Sequence, residues 1–431
     1  MSENSSTVSV IIPTHNRSKS LLRTLDSLRV QTYPLEQFEV VVVADGCTDR
    51  TIEMLRNYDA PFALRILEKR NNGPSAARNH GAANSSGRLL LFLDDDVEPT
   101  AHLIEAHVQR HRQLIDQVVI GPYIPVFQER DDFIYVARRA WWENKFYSMR
   151  QVGHRYSYQD LVGGNLSLKK DLFNRVGGFD SSFPVYVHED YELGMRLINA
   201  GARFTFCSEA LAYHHETVDL DRSLQRARLE GRADVHIGRR HPELRPVLPL
   251  APTNMSILSV DRLMMALAFR RQKIGNEFIN CLRPILYLLE RARLRRRWSI
   301  LFKGLLSLSY WLGAAEELGT LQELENFLDG EPAHFDDEGD TQLEIDVREG
   351  IEVAERRLDE ERPASARIHY GHQPVGRIPS QPGSERLRGV HLRPILATEL
   401  AIPLLKEMAL ESASTMRSDA GLLYKSSQAH S

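Results

Sequence analysis

The stretch Leu89-Leu90-Leu91-Phe92-Leu93-Asp94-Asp95-Asp96-Val97-Glu98-Pro99 constrains this chain more than any other. Five consecutive apolar residues suit one strand buried on both faces of a sheet, and the run is short for a helix. It leads straight into three adjacent carboxylates, which repel one another and cost several kcal/mol each to desolvate unless neutralised. A solvated acidic loop needs no apolar run before it. Asp96 or Glu98 could cap a helix expected at Pro99–His111, but three successive aspartates exceed that job. A divalent cation removes the penalty. Hard oxygen ligands favour Mg²⁺ or Mn²⁺, held by one or two protein carboxylates and completed by substrate phosphates.

Three further apolar runs have strand length: VSVII (8–12), FEVVVV (38–43) and ALRIL (63–67). Leu21, Leu22, Leu25 and Leu28 mark one helical face between the first two, and Pro74 after Gly73 opens a helix through 75–84. Strands alternating with helices predict βαβ units, hence an α/β domain with a mostly parallel sheet and ligands at the carboxyl ends of its strands. Residues 101–220 continue as mixed α/β, with ARRAWWENKFY (137–147) expected as an aromatic-rich loop.

Charge divides the remainder of the chain. Residues 221–328 read as helical, and between Arg262 and Lys303 eleven Lys or Arg face two Glu. This region fits amphipathic helices packed on the core. It also fits a membrane-surface element over 262–315, drawn to anionic lipid at ~1 kcal/mol per basic residue. Residues 329–431 are acidic, then rich in Pro, Gly and Arg; they are expected to be mostly disordered, with one helix at 342–361. A net charge of −4 gives no reason to expect nucleic-acid binding. Three scattered cysteines, no signal-peptide pattern and no long apolar run point to the cytoplasm, the inner face of the membrane being the alternative place.

The first run ends in Pro13-Thr14-His15-Asn16-Arg17 and the second in Ala44-Asp45-Gly46-Cys47-Thr48-Asp49. Asp45 can accept hydrogen bonds from a ligand amide or ribose, or cap the next helix, although Asp49 with Thr51 fits capping better. Glu189, Asp190 and Glu192 fall in the first turn of a helix stopped by Gly201, where carboxylates complement the helix dipole. One that also faced a metal–phosphate site could act as a general base. ALAYHHE (210–216) puts His214 and His215 at another strand end, where one could complete a metal site.

Taken in order, VSVIIPTHNR, VVVADGCTDRT, NNGPSAARNHGAANSSGRLLLFLDDDVEP, GGNLSLKKDLFNRVGGFD and HEDYELGMRL resemble glycosyltransferase family 2, the inverting GT-A enzymes that use nucleotide-sugar donors. The resemblance covers residues 7–220, half the chain, with 7–100 as the nucleotide-sugar half and 101–220 as the acceptor half of a Rossmann-like GT-A domain. It implies a donor pocket of Pro13, Thr14, Asn16, Arg17, Asp45, Gly73, Arg78 and Asn79, and a DxD motif at Asp94-Asp95-Asp96. Within that motif Asp96 would bind Mg²⁺ or Mn²⁺, while Asp94 or Asp95 would contact the donor ribose or a second metal position. Asp190, paired with Glu189, would be the catalytic base, and His214 would complete the metal site, with His215 adjacent.

Transfer from a UDP-, GDP- or dTDP-sugar to a carbohydrate or lipid-linked acceptor, in cell-surface glycan or glycolipid synthesis, is the implied activity. This sequence has Ala44 where many members have Asp, and Cys47 where Ser is common. A nucleotidyltransferase is the alternative enzyme, but PTHNRS lacks the glycine-rich phosphate loop; no GxGxxG supports a dehydrogenase. An inactive nucleotide-sugar-binding scaffold would be expected to lose Asp45, Asp96 or Asp190, and all three are present.

Overall fold

The structure, a computed structural model, describes residues 7–112, 116–126, 132–183, 187–251, 259–329 and 342–413. The chain forms two compact units, one of residues 1–150 and 156–333, the other of 151–155 and 334–431.

The first unit contains β1 (Val8–Thr14), α1 (Ser18–Leu28), β2 (Phe38–Asp45), α2 (Thr51–Arg56), β3 (Ala63–Lys69), α3 (Pro74–Ala83), β4 (Leu89–Leu93) and β5 (Val97–Pro99). It continues with α4 (Leu103–His111), β6 (Gln117–Ile120), β7 (Tyr123–Pro125), α5 (Phe133–Arg150), β8 (Asn165–Lys169), α6 (Lys170–Arg175), α7 (Glu189–Asn199), β9 (Arg203–Phe206) and β10 (Ala212–His214). Its helical extension is α8 (Leu220–Arg240), α9 (Ser259–Arg270), α10 (Gln272–Arg291), α11 (Arg295–Leu318) and α12 (Leu321–Asp329).

Seven strands form the central sheet in the order β3-β2-β1-β4-β8-β6-β9. β1 is parallel to β2 and β4, β2 to β3, and β6 to β9, while β8 runs antiparallel to β4 and β6. The expected α/β class and mostly parallel sheet are therefore present. Chain order reverses about β1, whose neighbours are β2 and β4, and crevices at such points collect ligands. Every residue of β2 and β4 is buried, as their apolar runs require. ALRIL differs: β3 is the sheet edge and alternates between exposed and half-buried residues, so it is covered less than its composition suggests.

Asp94, Asp95 and Asp96 span the step from β4 to β5, which belongs to a second sheet ordered β5-β10-β7. There His214 pairs in register with Val97, one residue beyond Asp96. The stretch 137–147, expected as a loop, lies inside the helix α5; Trp142, Phe146 and Met149 recur at helical spacing and are buried. Among the described residues no helix is long and apolar enough to cross a membrane.

The second unit corrects the expectation of a mostly disordered tail. β11 (Gln342–Asp346), α13 (Ile351–Glu361), β12 (Ser365–Tyr370), β13 (Gln373–Ile378) and α14 (Gly389–Ala397) form a three-stranded sheet with helices around a core that includes Leu343, Ile345, Leu358, Ile368, Leu387 and Leu392. The helix expected at 342–361 splits into strand and helix at Gly350, whose φ of +114° opens the turn. Leu343 and Ile345 alternate with Glu344 and Asp346, so the period is two and the charged partners hide it. Within this unit the Arg155 guanidinium donates to the carbonyls of Ala364, Pro379 and Glu385. The tail segments 330–341 and 414–431 lie outside the described residues.

Candidate active site

A cleft of about 1230 Å³ opens at the carboxyl ends of the strands and gathers Pro13, Thr14, Arg17, Asp45, Gly73, Arg78, Asp94, Asp95, Asp96, Glu189, Asp190 and His214. Two predicted residues fall outside its lining. Asn16, at φ +54°, turns its side-chain oxygen to the amides of Thr48 and Asp49 at 2.7 and 3.1 Å and so braces the β2–α2 loop. Asn79 grips Phe179, accepting from its amide at 2.9 Å and donating to its carbonyl at 2.7 Å.

The three aspartates do not share one environment. Asp94 accepts from Arg78 Nη2 at 2.7 Å. Asp95 is buried and accepts from Thr14 Oγ1 at 2.6 Å and Arg17 Nη1 at 3.2 Å. Burial pushes its carboxyl up to about 7 against the pull of Arg17. Asp96 accepts from the same Arg17 Nη1 at 2.5 Å and stands 3.3 Å from His214 Nε2. Burial would raise the Asp96 pKa, yet His214 and Arg17 hold it at about 2. Two arginines and a histidine thus answer much of the like-charge repulsion.

Asp45 is tied to the β3–α3 loop, not to the next helix: Oδ1 accepts from Lys69 Nζ at 2.8 Å and the Asn72 amide at 3.0 Å, and Oδ2 from the Gly73 amide at 2.8 Å. Gly73 sits at φ +87°, a backbone state that suits glycine, and delivers Pro74 to the first turn of α3. Asp49 Oδ1 accepts from the Thr51 amide at 3.0 Å, two residues on, although the residue at the N-cap of α2 is Arg50.

α3 also carries Arg78, which joins the two acidic motifs. Its buried guanidinium donates to Asp94 at 2.7 Å and Glu189 at 3.0 Å, across 111 residues of sequence in the second case. Burial opposes its charge, but Asp94 and Glu189 more than offset that and drive its pKa up. Burial and then Asp190 push Glu189 up, with Arg78 opposing. Asp190 is oriented by two backbone donors: Gly163 N–H reaches Oδ2 at 3.1 Å and Tyr191 N–H reaches Oδ1 at 2.9 Å.

Asp96 and His214 converge on the cleft as one carboxylate and one imidazole. The fit to Mn²⁺ or Mg²⁺ is good provided substrate oxygens fill the remaining positions. Among the described residues no group of three or more His, Cys, Asp or Glu is assembled into a metal cage. His214 Nδ1 is buried without a hydrogen bond, and Glu216 Oε2 lies 3.7 Å away, where ligating histidines commonly have a carboxylate behind them. His215 turns elsewhere, its Nε2 2.6 Å from Glu98.

Of the rest of the wall the sequence offered only Trp141 and Trp142, as side chains that could stack on a sugar ring or belong to the core. Glu216 is held by Arg138 at 2.9 Å and by Trp142 Nε1 at 3.2 Å; it ends the run ALAYHHE, so its position was visible and its role was not. Trp141 and Tyr191 flank the half-buried Lys145 ammonium at 5.4 and 5.3 Å. Arg226, Glu230, Asp234, Lys303 and Tyr310 reach the cleft from α8 and α11, where helical periodicity gave no chemical signal.

Residues 9–177 match the family described as glycosyl transferase family 2, and 144–218 match the N-terminal domain of galactosyltransferase. The chain is 31% identical over 277 residues to validoxylamine A glucosyltransferase of Streptomyces hygroscopicus subsp. jinggangensis, covering 58% of this chain and 64% of that protein. It is 30% identical over 215 residues to glycosyltransferase AglE of Haloferax volcanii, covering 48% and 66% respectively. The chain thus spans just under two thirds of the length of these curated relatives. Among solved structures it resembles mannosyltransferase PcManGT from Pyrobaculum calidifontis, solved with GDP-Man and Mn²⁺, at a TM-score of 0.48 and 18% identity over 72% of this chain and 87% of that one.

Proposed function

The chain belongs to glycosyl transferase family 2, and from that premise we propose that it moves a sugar from a nucleotide-diphosphate donor to an acceptor hydroxyl with inversion, in glycan or glycolipid synthesis. The observation that carries this reading is Arg78, whose single guanidinium ties Asp94 of the first acidic motif to Glu189 of the second at one cleft. Asp190 takes the proton of the acceptor hydroxyl as that oxygen bonds to the anomeric carbon, and the bond from that carbon to the diphosphate breaks on the opposite face. Gly163 and Tyr191 amides fix the carboxylate's direction, so its free lone pairs face the incoming hydroxyl. Thr14, Arg17, Asp45 and Gly73 form the donor side, and Arg17 lends positive charge beside Asp95 and Asp96. Asp96 and His214 would hold Mg²⁺ or Mn²⁺, which when bound neutralises charge on the departing diphosphate.

A carbohydrate or lipid-linked acceptor is supported by the exposed Trp141 ring on the cleft wall. Contact with an anionic membrane through 262–315 belongs to the same proposal. Ile274, Phe278, Ile285 and Leu288 form an exposed stripe on α10, opposite buried Gly275, Ile279 and Leu286, and exposed Arg291, Arg293, Arg295, Arg296 and Arg297 follow it.

The test is a screen of UDP-, GDP- and dTDP-sugars for Mn²⁺-dependent stabilisation and turnover, repeated with Asp190→Asn. The variant should bind the donor as the parent does and lose transfer by about a thousandfold or more, the scale of a lost catalytic base. Turnover near the parent rate would remove Asp190 from the role of base. A flat response of the parent to every donor, with and without metal, would favour a scaffold.

A further inference from the structure

We propose that Asp234 and Tyr310, on the helical extension, are positioning residues that act through His188 to fix the turn carrying Glu189 and Asp190. The inference rests on the role proposed above for Asp190.

His188 immediately precedes α7 and holds φ +63°, ψ +14°, a left-handed conformation that a non-glycine residue keeps only when its surroundings over-determine it. Its Nδ1 lies 3.0 Å from Asp234 Oδ1 on α8, and Asp234 Oδ2 accepts from Tyr310 Oη on α11 at 2.6 Å. Asp234 is only 3% exposed, and His188 is its ion-pair partner among the described residues. A buried carboxylate needs a countercharge, so the pair favours an imidazolium. Burial alone would lower the His188 pKa, but Asp234, with Glu230 and Asp190 assisting, raises it above the ordinary value. The imidazole stacks on Tyr191 at 4.3 Å and 18°, and the Tyr191 amide is the one that donates to Asp190 Oδ1.

The platform beneath this relay is closely packed, and two glycines allow it. A Cβ on Gly231 of α8 would stand 2.0 Å from the Tyr310 carbonyl oxygen, and one on Gly313 of α11 would stand 1.8 Å from that of Arg228. Backbone therefore touches backbone where the two helices cross, which sets Tyr310 against Asp234. Neither helix touches the donor-side aspartates through these groups; their effect reaches the chemistry through His188.

The full chain is compared as parent, Asp234→Asn, Tyr310→Phe, His188→Asn and His188→Ala. With the nucleotide sugar that the parent turns over, Asp234→Asn and Tyr310→Phe should lower kcat about 10- to 100-fold while donor Kd, read by calorimetry, stays within twofold. His188→Asn keeps a donor and tolerates the left-handed backbone, so it should recover at least tenfold over His188→Ala. A kcat within twofold of the parent in both Asp234→Asn and Tyr310→Phe overturns the inference, as does equal activity of His188→Asn and His188→Ala. A donor Kd that weakens in step with kcat overturns it too. Should the parent transfer no sugar at all, the proposed function fails separately, and amide hydrogen exchange then tests the positioning. Exchange at Glu189–Tyr191 should quicken at least tenfold in Asp234→Asn, and an unchanged rate overturns the inference.

Discussion

The cleft has two walls built on different physical plans. One is made of strand ends: Thr14 and Arg17 after β1, Asp45 closing β2, and Asp94 to Asp96 after β4, each carboxylate paired with a cation within about 3 Å. The other is made of helix faces, with Arg226, Asp234, Lys303 and Tyr310 drawn from α8 and α11. Strand ends converge because parallel topology brings them to one edge, so their polar residues arrive as short contiguous motifs. Helix faces converge only through packing, here the close approach at Gly231 and Gly313, and their polar residues are scattered over the sequence. The strand wall therefore gathers its charge pairs at strand ends, while the helix wall carries its pairs, Arg226–Glu230 and Asp234–His188, on helices set by close backbone packing.

Arg78 is where that contrast can be broken most sharply. Arg78→Met keeps much of the side-chain volume but strands Glu189, which is buried, and frees Asp94, which at 31% side-chain exposure can turn to water. Removing one partner of a buried pair costs about 3–5 kcal/mol, so the melting temperature should drop by about 10 °C. Thermal unfolding checks it. A shift under about 2 °C would mean that Glu189 is not held by charge.

The same contrast explains what could be read from the sequence. LLLFLDDD, VVVVAD and VIIPTHNR each show a buried strand and its polar end within a dozen residues, and the structure brings Thr14, Arg17, Asp45 and the three aspartates to one cleft. The histidine facing the Asp96 carboxylate is undecidable in sequence: β10 pairs His214 with Val97 and brings the His215 amide to the Asp96 carbonyl at 2.9 Å, yet it is the His214 ring that turns to the carboxylate while the His215 ring turns to Glu98. Asn16 and Asn79 look like pocket residues in sequence; their amides are spent on backbone groups of neighbouring loops. The aromatic run 137–147 reads as a loop because its buried positions recur at helical spacing amid polar neighbours that obscure the face. Asp234 and Tyr310 give no signal at all, since nothing local says which helix a lone Asp or Tyr will meet. The folded 342–413 is masked by charge, its first strand alternating one apolar residue with one ionised one.

Titration should separate two sets of buried histidines by sign. In the sheet half, His107 Nε2 bonds Asn165 Oδ1 at 2.9 Å, and Ser167 Oγ links His107 Nδ1 at 2.7 Å to His111 Nε2 at 2.8 Å. Burial lowers the two histidines to about 4 and about 3. Between the unfolded value near 6.5 and those values, the unfolded chain binds protons that the fold refuses. Stability is then lost as pH falls, by about 1.4 kcal/mol per unit per histidine. His188 on the helix side has the opposite sign: its folded pKa is raised, so its contribution is full below 6.5 and is lost as pH rises through the folded value. Asp95, pushed up to about 7, titrates in the same window with the sign of His188, so the variants are read against the parent by urea unfolding at pH 7.5 and 5.5. Relative to the parent, the midpoint of His111→Gln should change upward on going to pH 5.5, and that of His188→Asn downward. Equal midpoints for all three at both pH values would erase the distinction.

The smallest effect concerns the outer face of the helix half. The α10 stripe and the arginines that follow it should bind vesicles containing phosphatidylserine and leave pure phosphatidylcholine largely alone. Each basic residue near such a surface contributes ~1 kcal/mol, and exposed charges are screened strongly at molar salt. Arg295→Gln, Arg296→Gln and Arg297→Gln together should therefore weaken flotation at low salt by about 100-fold, with little further loss on adding salt. Phe278→Ser should weaken it by less, about tenfold, and equally at both salt levels, because it removes exposed apolar area that the bilayer would bury and no charge. Flotation of the parent that is absent at low salt removes the membrane from the proposal. The exposed stripe would then be left to protein contact, and the helix half would differ from the strand half in its inner wall alone.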